Sequence, residues 1–322
     1  MSSEFTRIAA LQSLFGSPPP GVVIGIGDDA AVLVPPSSPL IWTVDASVEG
    51  THFRRDLLTL EDIGYRSTMA AASDLAAMAG EPLGILAAIV LPSGIDDEEL
   101  FAIAEGQKQA AMALGTNVIG GNLARGGELS ITTSVLGVAV RPLSRAGARA
   151  GDGVWIAGPV GLAAAGHALL NDARLASSAS DLLAADAATM AFRRPEARIR
   201  EGLAASVDGA AAIDISDGLA QDLGHLAVAS GVRIVLFAEA VVGDELRSLS
   251  VRLGRDPLDW ALYGGEDYAL VVVGPDPFVE GFSKIGVVEL GSPFVGLRRA
   301  DGEVVRVDRR GYDHFSPEAR RH

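Results

Sequence analysis

Short apolar runs, each cut off by a glycine or an acidic residue, constrain this chain more than any other feature. Within the first 140 residues VVIGI, AVLV, LIWTVDASV, LGILAAIVL and the alternating LSITTSVLGVAV have the length and period of β-strands. Two longer segments lie among them and read as helices. One, LEDIGYRSTMAAASDLAAMAG, is rich in small residues. The other, DEELFAIAEGQKQAAMALG, is acidic in its first turn, where the helix dipole favours anions, and is stopped by Gly115. Strands interleaved with helices in this order describe an α/β or α+β layer.

The pattern changes at RPLSRAGARAGDG, a basic, glycine-rich connector. After it come a strand, VWIAG, a helix beginning near Gly161, several further helical segments, the strands RIVLFA and YALVVV, and a strand-rich tail ending in GYDHF. A chain of 322 residues is long enough for two cores, and the expected division is an N-terminal domain of residues 1–144 and a C-terminal domain of residues 145–322. Residues 171–190, NDARLASSASDLLAADAATM, are polar and small and read as a surface segment or mobile loop.

A net charge of −15 with no Lys/Arg-rich stretch argues against a nucleic-acid surface, because neutralising phosphates needs a basic face. Any phosphate bound here needs help from cations. The absence of cysteine removes disulfides, thiolate metal sites and a cysteine nucleophile, and suits the cell interior. The longest apolar run, ILAAIVL, is far too short to span a bilayer, so the expectation is a soluble, cytoplasmic protein with no membrane partner. No Gly-x4-Gly-Lys-Ser/Thr loop is present, and no G-x-G-x-x-G Rossmann fingerprint follows the first strand. GPVGLAAAG (158–166) could form an anion-binding turn at a helix start, a weak signal that ordinary glycine turns share.

Acids recur at the ends of apolar runs: Asp28 and Asp29 in GIGDDAAVL, Asp45 in WTVDASVEG, Asp74 in AASDLAAM, and Asp214 with Asp217 in AAIDISDGL. Each has an ordinary reading. Asp28 suits a turn, Asp74 a solvated helix position, and Ser216 or Asp217 an N-cap for DGLAQDLGHLA. As a set they read differently. Asp45 interrupts an apolar strand, and Asp74 sits in an Ala-rich helix where Asp is a mediocre former. Hard divalent cations select carboxylate oxygens, and Mg²⁺ takes one or two of them beside phosphate oxygens and water. Leu219, Leu223 and Leu226 read as the core face of one helix, and His167, His225 and His322 as packing or surface residues.

GIGDDAAVL, TVDASVEGTHF, ASDLAAMAGEP, VIGGNLARG, SRAGARAGD, IDISDGLAQDLGH, GGEDYAL and GYDHF, in that order, resemble the thiamine-monophosphate kinase family of the aminoimidazole-ribonucleotide-synthetase superfamily, over nearly the whole chain. The resemblance implies a two-domain fold whose N-terminal sheet pairs with its twin in a homodimer barrel, followed by a C-terminal α/β domain. It implies transfer of the γ-phosphoryl group of ATP to thiamine monophosphate with several Mg²⁺ ions; since such an acceptor phosphate is already ionised near neutral pH, no general acid or base is expected. By the same resemblance Asp29, Thr43, Asp45, Asp74, Asp214 and Asp217 bind Mg²⁺. Gly121 and Asn122, Arg145 and Ser216 contact ATP, while His52, Glu266 and Tyr312 contact thiamine monophosphate. Asn122 stands where the family usually has a metal-binding Asp; its amide oxygen can ligate Mg²⁺ but brings no charge. AGEP (79–82) replaces the usual Gly-Ala-x-Pro. Asn122 keeps two alternatives open: an aminoimidazole-ribonucleotide-synthetase-like ligase, and a non-catalytic nucleotide or thiamine-phosphate binding paralogue.

Overall fold

The computed structural model describes residues 4–276 and 280–308. They fall into two compact units, the first containing residues up to 75 and 80–140, the second residues 76–79 and those from 141 onward.

In the first unit the elements run α1 (Glu4–Phe15), β1 (Val22–Ile24), β2 (Val32–Leu33), β3 (Leu40–Val48), α2 (Leu60–Ala77), β4 (Glu81–Leu91), α3 (Asp97–Ala113), β5 (Val118–Arg125) and β6 (Ser130–Val138). Four strands form a sheet in the order β3-β6-β4-β5, antiparallel except for the β4–β5 pair that α3 connects. Period-two alternation divides β3 cleanly. Leu40, Trp42 and Val44 lie on one face and are 56%, 73% and 64% exposed, while Thr43, Asp45 and Ser47 turn to the other. The expected acidic start of α3 is a capping box, with Asp96 and Glu99 each accepting the other's backbone N–H. Between α2 and α3 two glycines set the spacing. A Cβ at Gly64 would overlap the Ile103 carbonyl oxygen, and one at Gly106 the Glu61 carbonyl oxygen.

The second unit contains β7 (Gly153–Ala157), α4 (Leu162–Asn171), α5 (Ala173–Ala179), α6 (Leu183–Arg193), α7 (Ile199–Ala205), β8 (Ala211–Ile215), α8 (Leu219–Ser230), β9 (Arg233–Phe237), α9 (Ala238–Val241), α10 (Asp244–Leu253), α11 (Pro257–Tyr263), β10 (Ala269–Gly274), β11 (Ser283–Glu289), β12 (Phe294–Arg298) and β13 (Val304–Arg306). Seven strands lie in the order β13-β12-β9-β11-β7-β10-β8, and only β9–β12 is parallel. Both faces of the sheet are covered. Ala211, Ile213 and Ile215 of β8 join the main core with Leu219, Leu223 and Leu226 of α8, so the leucine stripe faces inward as its spacing requires. Ala212, Leu270 and Val272 join a smaller core on the opposite face.

The loop expected at 171–190 is instead helical, in α5 and α6. Ala184, Ala188 and Phe192 recur every four residues and are buried, so alanine's helix propensity and an apolar stripe outweigh the surrounding serines and aspartates. GYDHF lies outside the described residues.

Candidate active site

In the first unit Asp28 and Asp29 sit in the exposed turn after β1, where the Asp29 N–H donates to Asp28 Oδ1 at 2.8 Å and Gln12 Nε2 donates to the Ile26 carbonyl at 2.6 Å. Asp29 lines a cavity of about 880 Å³ together with Gly120, Gly121 and Asn122 of β5 and the apolar side chains of Phe5 and Trp42. Thr43 and Asp45 project from the same face of β3, and the Thr43 hydroxyl donates to Asp74 Oδ2 of α2 at 2.5 Å. Beside Asp45 in the register stands Thr133 of β6, fully buried, whose hydroxyl has no hydrogen-bond partner among the described residues. His52 follows β3 in a tight turn. Its Nδ1 accepts the Val48 N–H at 3.0 Å, which leaves the ring proton of the neutral imidazole on Nε2.

In the second unit, strand β8 delivers Asp214, only 7% exposed, and Ser216 and Asp217 follow before α8 begins. Neither Ser216 nor Asp217 caps α8, as the sequence suggested. The cap position is Gly218, and the carboxylate that gathers the amides is Asp222, inside the helix. Its Oδ2 accepts both the Ser216 and the Asp217 N–H at 3.1 Å, and Gln221 Nε2 donates to Asp217 Oδ2 at 3.2 Å. Burial first, then repulsion from Asp217 and Asp214, pushes Asp222 up to about 8 despite those two amides. Three acids are crowded where little water screens them.

The weak anion-binding turn at 158–166 already holds an anion from this chain. Asp267 Oδ2 accepts the Gly161 N–H at 2.6 Å and Oδ1 the Ala163 N–H at 3.0 Å, at the start of α4. Its neighbour Glu266 donates its own N–H to the Ser216 carbonyl at 2.8 Å. Arg145 is exposed. Its carbonyl accepts the Ser230 hydroxyl at 3.0 Å, and no ion pair engages its guanidinium among the described residues. Tyr312 lies outside the described residues.

The structure therefore brings Thr43 to Asp74, Asp29 to Gly121 and Asn122, Asp214 to Asp217, and Ser216 to Glu266. Among the described residues no group of three or more His, Asp or Glu side chains is arranged to hold a metal ion by itself. The donors present in each unit are hard oxygens; the orphaned Thr133 hydroxyl beside Asp45 in the first, and separately the crowding at Asp222 in the second, suit cations of the Mg²⁺ type. Sequence reasoning missed Asp222 and Asp267. For Asp222 a signal existed, since an acid three residues after Leu219 and four before Leu226 falls on the apolar stripe of α8. For Asp267 the signal was its place inside the motif GGEDYAL, which singled out only its neighbour Glu266.

A family described as AIR synthase related protein, N-terminal domain, matches residues 27–139. The thiamine-monophosphate kinase of Salmonella typhimurium is 35% identical over 97% of this chain and 98% of its own length. The chain belongs to the thiamine-monophosphate kinase family. The kinase of Aquifex aeolicus is 32% identical over 90% of this chain and 92% of its own. Among solved structures, one described as AaThiL complexed with AMPPCP and TMP superposes with a TM-score of 0.79 at 31% identity, covering 97% of both chains. The thiamine-monophosphate kinase from Stenotrophomonas maltophilia K279a does so with a TM-score of 0.82, at 31% identity over 94% of this chain and 98% of its own. This kinase is thus a phosphotransferase with the fold of those relatives. No helix among the described residues is long and apolar enough to cross a membrane.

Proposed function

We propose that this kinase makes thiamine diphosphate by direct in-line transfer of the γ-phosphoryl group of ATP to thiamine monophosphate. The observation that carries the reading is the full-length likeness to the solved relative that holds AMPPCP and TMP. In the reaction the bond from the γ-phosphorus to its bridging oxygen breaks, an oxygen of the thiamine phosphate forms the new P–O bond, and ADP leaves. The acceptor oxygen is ionised near neutral pH, so the chain needs no general base; its task is positioning and charge neutralisation.

Asp29, Thr43, Asp45 and Asp74 of the first unit, and Asp214 and Asp217 of the second, would hold Mg²⁺, with Asn122 offering a neutral amide oxygen. When bound, the cations would neutralise the polyphosphate charge that a chain of net charge −15 repels. The exposed guanidinium of Arg145 is suited to fork onto phosphate oxygens of ATP, beside contacts from Gly121, Asn122 and Ser216. The Nε2–H of His52 can donate to the thiamine phosphate, and the Glu266 carboxylate complements the positive thiazolium. Tyr312 is assigned to the same substrate.

Purified protein with ATP, Mg²⁺ and thiamine monophosphate should yield thiamine diphosphate and ADP in equal amounts. No diphosphate, with ADP and free phosphate formed only when a formylglycinamidine ribonucleotide is supplied, would favour a ligase, and calorimetric binding without turnover a non-catalytic paralogue. We also read the protein as a cytoplasmic homodimer, with the exposed β3 face of Leu40, Trp42 and Val44 covered by a second copy. Trp42→Asp should then halve the mass seen by light scattering, and an unchanged mass would remove this face from the interface.

A further inference from the structure

The segment from Gly264 to Tyr268 is held in a conformation that its residue types oppose. Glu266 and Tyr268 both adopt left-handed backbone, with φ of 70° and 49°, and neither is a glycine. Each costs free energy that surrounding contacts must offset. Between the two lies Asp267, 8% exposed. Its two carboxylate oxygens take two amides at the start of α4, those of Gly161 and Ala163. On the other side, the N–H groups of Glu266 and Tyr268 donate to the carbonyls of Ser216 and Ile215, both at 2.8 Å. The approach is close: a Cβ at Gly265 would overlap the Ser216 carbonyl oxygen. Finally, the Tyr268 hydroxyl lies 3.4 Å from Glu266 Oε2.

We infer that Asp267 is a positioning residue for thiamine phosphate, acting through Glu266: its buried carboxylate, fastened to the start of α4, holds the strained turn that aims Glu266 from the edge of the Ser216 segment. This rests on the assignment of Glu266 to that substrate. An ordinary helix cap would serve α4 alone and would not require left-handed residues on both sides. Here one carboxylate fixes the only residue between two strained positions, so its loss frees both to relax towards extended backbone and carries the Glu266 side chain away from its present direction.

The test is steady-state kinetics on the full chain with each substrate varied in turn. Asp267→Asn keeps an oxygen for one amide and sets its NH₂ group against the other. It should raise KM for thiamine monophosphate about tenfold and leave KM for ATP within about twofold of the parent. Glu266→Gln, measured beside it, should raise the same KM. If Asp267→Asn lowers the melting temperature but leaves both KM values unchanged, or raises both equally, Asp267 only caps the helix and the inference fails. A parental KM in Glu266→Gln would overturn the substrate assignment and the inference with it. Should Asp267→Asn not fold, Asp267→Glu retains the charge while displacing the turn. A selective rise in the thiamine monophosphate KM supports the inference there too, and its absence overturns it.

Discussion

The two groups of acids in this kinase stand in opposite surroundings. In the first unit the carboxylates are reached by water and most have a nearby donor: Asp74 receives the Thr43 hydroxyl, Asp45 the Ala46 N–H, and Asp28 the Asp29 N–H in an exposed turn. In the second, Asp214 and Asp222 are 7% and 4% exposed, Asp217 stands beside them, and repulsion adds to desolvation. Acids of the first kind can wait for a cation at little cost. Asp222, pushed up to about 8, carries its full charge near neutral pH only when something positive joins the group, so the second group should respond more sharply to Mg²⁺ and to pH.

The largest expected effect breaks that comparison at its centre. Asp217→Asn removes a proposed ligand from the crowded group and should lower turnover by at least about a hundredfold, with a melting temperature no lower than the parent's. Asp45→Asn should impair turnover as well. Unchanged turnover of both variants at limiting Mg²⁺ would separate these acids from metal binding.

A second, smaller effect concerns stability. Asp222 has an ordinary value of 3.8 and a folded value of about 8. Between these values the folded chain binds more protons than the unfolded one, so rising pH erodes stability throughout the window. The favourable contribution is complete below pH 4 and gone above pH 8. Asn at this position keeps one oxygen for the Ser216 and Asp217 amides, both of which meet the same oxygen of Asp222. Without Mg²⁺, Asp222→Asn should therefore raise the melting temperature by about 3–5 °C at pH 8 and leave it unchanged near pH 4. A pH-independent difference would contradict the repulsion. Smallest of all, Asn122→Asp adds a charge beside the exposed group and should lower the Mg²⁺ concentration for half-maximal activity about threefold. An unchanged or higher requirement would show that this position does not face a metal.

Sequence pattern revealed the strands well, because β6 alternates strictly and β4 and β10 are nearly continuous apolar runs, and both patterns follow directly from burial on one face or two. It failed for α5 and α6, where serines and aspartates on the solvent side obscured an Ala-Ala-Phe stripe. It also passed over α1 and treated VIGGNLAR as a motif, although those residues form β5, the edge strand of the first sheet. Within the candidate site, the acids at strand ends were legible because they offend local propensity. The task of Asp267, although the residue sits in the GGEDYAL motif, was not, because it answers to a pair of amides 104 and 106 positions away. Long-range partners leave no mark on local composition.

The paired glycines between α2 and α3 bear on how this enzyme could be disabled or diverted without altering any acid. Because backbone meets backbone there, the separation of α2 from α3, and with it the placing of Asp74 on α2, is gauged by two hydrogen atoms. A single methyl group at either point would act as a shim, tilting a ligand off its mark while every reactive side chain stayed in the gene.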